Sequence, residues 1–157
     1  MASPHGKRRA RATIDASHGG AESPGEAQLR WMVLQALAGR VPASEVESQR
    51  EVIAGGRRYF LDSALPAHRI DVEFDGSGKI LDVPTLSRER LQEERSRDEA
   101  LRRAGWRPVH VTWDELRDPQ SAMAKLVGDL RRLGVDARIP RGWEPTTPTP
   151  GRHALVL

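Results

Sequence analysis

Asp71, Glu73 and Asp75 alternate with Ile70, Val72 and Phe74 in a single run. Side chains of an extended strand alternate between its faces, so the three carboxylates project from one side and the three apolar groups from the other. Two like charges about 4 Å apart repel by roughly 4 kcal/mol at an effective dielectric near 20. The ladder therefore needs solvent, a proton or a divalent cation to offset it. A solvated face of an antiparallel sheet meets the need in one way. A hard cation such as Mg2+ or Mn2+ meets it in another, and when held by carboxylate oxygens it polarises a phosphoryl group and activates water. Asp62 adds a fourth acid. It shares a strand face with Phe60 and Ala64, and a tight turn at Pro66-Ala67 would bring it near the ladder, in a register that pattern alone leaves open.

Several elements must position these acids. Ser23-Pro24-Gly25-Glu26 reads as a helix start, with Ser23 as N-cap, Pro24 at the first helical position and Glu26 closing a capping box. Ala27, Trp31, Leu34 and Ala38, with Leu37 alongside, form the expected core stripe before Gly39. Strands follow around Gln49 to Ala54 and Tyr59 to Leu65, joined at Gly55-Gly56, and then Arg69 to Asp75. A charged helix from Ser87 to Ala104 ends at Gly105. Val109, Val111 and Trp113 mark a fourth strand, and Asp118-Pro119 opens a last helix carrying Met123, Leu126, Val127, Leu130 and Leu133. The order is αβββαβα, which predicts an α/β (mixed-sheet α+β) domain with helices flanking a four-stranded sheet. Trp31, Trp106 and Trp113 sit in apolar-periodic settings and are expected in the core.

Composition excludes several classes. A chain of 157 residues, 38% hydrophobic and 30% charged, supports one modest core. Aromatic residues make up only 4%, which argues against stacking many bases on aromatic platforms. Cysteine is absent, so disulfides, thiolate metal clusters and cysteine nucleophiles are excluded. No apolar run is long enough for a membrane span or a signal h-region, and a cytoplasmic protein is expected. The formal net charge of +3 equals the surplus of Lys7, Arg8, Arg9 and Arg11 over Asp15. Residues 1–22 thus read as a disordered basic tail, which can hold DNA through counterion release or serve as a plain solvated terminus. Residues 23–138 are expected to fold, and 139–157 read as a Pro/Thr-rich tail.

The segment from Tyr59 to Trp113 resembles a known pattern. Its carriers are Leu61-Asp62, then Val72-Glu73-Phe74-Asp75-Gly76 with Lys79 three residues beyond, then Glu94 through Trp106, and Val111-Thr112-Trp113, preceded by Ser23 to Glu26. Together they resemble a nuclease-like bacterial domain related to very-short-patch repair endonucleases, within the PD-(D/E)XK restriction-endonuclease-like superfamily. The resemblance covers roughly residues 23–133 and implies a restriction-endonuclease-like core that hydrolyses DNA phosphodiester bonds with Mg2+ or Mn2+. It assigns metal ligation to Asp62 and Glu73, with Asp75 beside them, and leans Glu26 of the first helix toward the site. Asp75 stands where the superfamily's motif carries lysine, and Lys79 is the lysine that can supply that charge from the loop. An ordinary exposed loop lysine is the competing reading. Arg97 and Arg95 of the charged helix are placed near the DNA backbone by the same resemblance, against a plain solvated face laced with i,i+4 pairs. His110 stands where relatives often carry arginine and is expected as a partly buried strand residue. A protein partner that selects the target is expected too. The alternative function is a catalytically inactive module of the same fold that binds nucleic acid or a protein partner.

Overall fold

Ser23 caps the first helix as its sequence predicts. In the computed structural model, which describes residues 23–76 and 84–144, its hydroxyl accepts the Glu26 N–H at 3.3 Å and donates to Glu26 Oε1 at 3.0 Å. Helix α1 runs Pro24–Leu37. Its burial is wider than the expected stripe: Leu29, Met32, Val33 and Ala36 are buried, whereas Leu34 is half-buried and Ala38 exposed. Ala27, Trp31 and Leu37 are buried as expected, but a helix buried over most of its circumference has only a weak amphipathic period, so the stripe was too narrow.

Strands β1 (Glu47–Ala54) and β2 (Arg57–Leu65) form an antiparallel hairpin. A 3-10 turn over Pro66–His68 leads into β3 (Ile70–Asp75), antiparallel to β2. Helix α2 (Pro84–Arg103) crosses over to β4 (Arg107–Thr112), which pairs parallel with β3. The result is a mixed four-stranded sheet in the order β1-β2-β3-β4, flanked by helices. Trp113 is outside the fourth strand. Thr112 and Glu115 form a capping box that turns the chain into the short helix α3 (Trp113–Leu116), since hydroxyl and carboxylate together satisfy the free amides of a helix start. Helix α4 (Pro119–Arg132) follows, capped by Asp118. After it, Trp143 returns to stack on Trp31 with centroids 5.9 Å apart. No helix among the described residues is long and apolar enough to cross a membrane.

The two faces of the sheet are covered by different chemistry. Ile70, Val72, Val109 and Val111 pack against α1 and α4 in the main core. On the other face, Leu101 of α2 and the following Trp106 pack with Ala54, Leu61 and Ala64. Strict alternation would put Leu61 and Ala64 on opposite faces. The slip falls at Asp62, opposite Gln49, whose left-handed backbone (φ 49°) breaks the pleat of β1. Apolar packing thus holds the C-terminal end of α2, and the stretch before it crosses the acidic side of β3.

Candidate metal centre

Parallel pairing sets Glu73 beside His110 and Asp75 beside Thr112. The alternation of β3 directs Asp71, Glu73 and Asp75 toward α2, as its sequence predicts. That face is not a solvated one. Asp71 is 0% exposed and Glu73 4%, because α2 roofs them. The roof is fixed by charge. Arg97 forms an ion pair with Glu73 through Nη1 and donates from Nη2 to the Phe60 carbonyl at 2.8 Å, with its guanidinium 5.9 Å from the Tyr59 ring centroid. The next residue, Asp98, meets His110 Nε2 at 2.9 Å.

Asp71 has no N–H or O–H donor for either oxygen. Burial pushes its carboxyl far above the usual range, and a hydrogen bond to Glu73 adds to the shift. The neutral form of Asp71 is thereby favoured at neutral pH. The ladder's repulsion is relieved at this rung by a proton.

Asp62 lies at the place where β2 leaves β3. Their pairing covers Ser63 to Leu65 against Ile70 to Val72, and beyond it Asp62 Oδ2 accepts the Phe74 N–H at 3.0 Å. Gln49 Nε2 stands 3.5 Å from the other oxygen. Burial raises the Asp62 carboxyl to about 6; the Phe74 N–H opposes this, and the charges of Glu73 and Glu26 reinforce it. Glu26 is thereby brought to the same site. Its helix is seated by a close approach: a Cβ on Gly25 would lie 2.3 Å from the Phe74 ring. Phe74 in turn packs edge-on against Trp113, with centroids 4.9 Å apart.

Glu73, Phe74, Asp75, Arg90, Glu94, Arg97, Asp98 and His110 line a cleft of about 160 Å³. Asp75 is at its mouth, half-buried. Glu94 faces it, and the Glu94 carboxyl is raised by burial first and by Asp75 second. Of the residues singled out in the sequence, Glu73, Asp75 and Arg97 line the cleft, Asp62 lies beside it on the Phe74 N–H, and Glu26 bears on Asp62 through its charge. Arg95 is exposed on α2 and does not line the cleft. Lys79 lies outside the described residues.

Asp98 and His110 were not picked out as ligands. With Glu73 they form a group whose ligand atoms all lie within 4.8 Å of one another, so the three can hold a metal ion. Asp62 and Asp75 are not in that group. The one signal in the sequence was the shared parity of Glu73 and His110, which becomes visible once the two strands are known to run parallel.

The comparisons are silent. No family model, curated protein or solved structure matches this chain.

Proposed function

We propose that this chain is a divalent-metal-dependent endonuclease that hydrolyses DNA phosphodiester bonds on a restriction-endonuclease-like core. The observation that carries the reading is that Asp62 accepts the N–H of Phe74, next in the chain to Glu73, whose charge raises the Asp62 carboxyl. The two acids come from two strands that part at this point, beside a cleft that also holds a cation-bearing side chain. The family resemblance of the same segment supports it. Asp62 and Glu73 are the residues to hold Mg2+ or Mn2+, with Asp75 and Glu26 adding negative charge around them. The donor set fits such an ion, since hard cations take carboxylate oxygens. When bound, the metal supplies charge neutralisation at the phosphoryl oxygen and acidifies a water.

The protein's own groups account for the rest. Water attacks phosphorus and releases a proton to solvent, the bond from phosphorus to the leaving oxygen breaks, and that oxygen takes up a proton from solvent. Arg97 presents a planar fork suited to phosphate oxygens, and its second nitrogen is anchored on the Phe60 carbonyl. Lys79 remains the lysine to contact the scissile phosphate from the loop.

A second reading is favoured by one specific observation. Arg97 already neutralises Glu73, and Asp75 stands where the superfamily's motif carries lysine. Both fit an inactive module that binds nucleic acid or a protein partner. Nicking of supercoiled plasmid separates the two. The nuclease reading expects nicking with Mg2+ or Mn2+, none with chelator, and a loss of about 100-fold or more in Glu73→Gln. DNA binding that ignores metal, with no cleavage under any divalent ion, establishes the inactive module instead.

A further inference from the structure

We propose that Glu73, Asp98 and His110 form a site for a first-row transition-metal dication, chemically distinct from an oxygen-only magnesium site. The site shares Glu73 with the nuclease reading, and its metal binding is tested separately from cleavage. Each ligand comes from a different element: Glu73 from β3, Asp98 from α2 and His110 from β4. Parallel register fixes the first and third side by side, and α2 lowers the second onto them.

The distances suit shared coordination. His110 Nε2 is 2.9 and 3.1 Å from the two Asp98 oxygens, and one ligand atom from each of the three residues lies within 4.8 Å of the others. Two ligands bound to one ion at roughly 2.1 Å stand about 3 Å apart, so the imidazole and Asp98 already span one edge of a coordination shell. Glu73 provides a second, independent indication. Its side chain is only 5% exposed. Arg97 occupies Oε2, while Oε1 receives no N–H or hydroxyl hydrogen bond. Among the described residues that buried oxygen is left open to a cation.

Ligand chemistry selects the ion. An imidazole nitrogen with two carboxylates suits Mn2+, Co2+ or Zn2+, whereas Mg2+ prefers oxygens in a near-ideal octahedron. Three protein ligands leave coordination positions for water or a substrate oxygen.

The test uses the untagged, metal-free full-length chain titrated with Co2+, followed by visible absorption and calorimetry. The expected result is one Co2+ per chain, displaced by Zn2+ but retained against a 100-fold excess of Mg2+, on the order of the ligand preference. His110→Ala and Asp98→Asn should each weaken Co2+ binding about tenfold or more. Asp114→Asn should leave it within about threefold, because that carboxylate is exposed and outside the group. Displacement by equimolar Mg2+, or wild-type affinity in folded His110→Ala, overturns the proposal. Should His110→Ala fail to fold by circular dichroism, the Mg2+ competition on the wild type and Asp98→Asn decide. Plasmid nicking is scored separately: Co2+ uptake without nicking keeps the site and removes the nuclease, and Mg2+-dependent nicking without selective Co2+ uptake does the reverse.

Discussion

Asp62 takes the Phe74 N–H at 3.0 Å, so a side chain supplies the acceptor that the departing strand no longer offers. The same carboxylate is therefore both a structural acceptor and a candidate ligand. Asp62→Asn retains an acceptor oxygen and should keep its folding stability while metal-dependent nicking falls. Asp62→Ala strands the amide and should lose about 1–3 kcal/mol in urea unfolding as well. Equal stability of the two variants would show that the bond contributes nothing.

Arg97 is the other side chain with two duties. It neutralises the buried Glu73 and ties α2 to the Phe60 carbonyl. Arg97→Ala leaves a buried acid without its cation and should cost about 3 kcal/mol in the absence of metal. Saturating divalent cation should recover part of that loss, since a bound ion also stabilises the fold by linkage. Thermal unfolding with and without Mn2+ measures both.

The protonated carboxyl of Asp71 sets a pH dependence of known sign. Its folded pKa lies above the unfolded value, as does that of Asp62 at about 6. Stability from such groups is fully present below about pH 4 and is lost as pH rises, through about 6 for Asp62 and further up for Asp71. Asp71→Asn is neutral without needing the proton. It should raise stability by more than about 1 kcal/mol at pH 8 and flatten the profile between pH 4 and 8. A profile unchanged from wild type would place the proton elsewhere.

Gly25 admits the Phe74 ring against the start of α1. Gly25→Ala gains helix propensity but forces the ring away, and packing strain of about 1–3 kcal/mol should outweigh the gain. Lower stability by urea titration, with reduced nicking because Glu26 moves from Asp62, is the expected outcome. A stabilised Gly25→Ala would mean that the Phe74 ring relaxes freely.

Much of the scaffold was legible because its signals are local. Ser23, Asp118 and the glycines after the helices act within a few residues, and the alternation of β3 correctly assigned its acids to one face. Trp113 was misread because its apolar character continues the period of Val109 and Val111, while the decisive capping pair, Thr112 and Glu115, lies in polar side chains around it. The stripe of α1 was drawn too narrow because burial on several sides erases the period.

The site was legible only in part. Of the residues chosen by type and resemblance, Glu73 and Arg97 form an ion pair, and Asp62 accepts the neighbouring Phe74 N–H. Asp98 and His110 were missed as ligands because they lie on different elements and are joined only by register and helix placement. Gln49 carries no sequence mark of its left-handed backbone, yet it stands at the kink beside Asp62.

Chain order, the helix caps and the direction in which Asp71, Glu73 and Asp75 point were determined by sequence alone, since each follows from spacing within one segment. Tertiary structure decided whether those acids meet water or protein. Helix α2 has too little apolar surface for any pattern to announce that it covers them, and it is held there by Leu101 at one end and by Arg97 and Asp98 before it. Pairings between distant charges depend on where elements dock, and docking is a property of the whole fold.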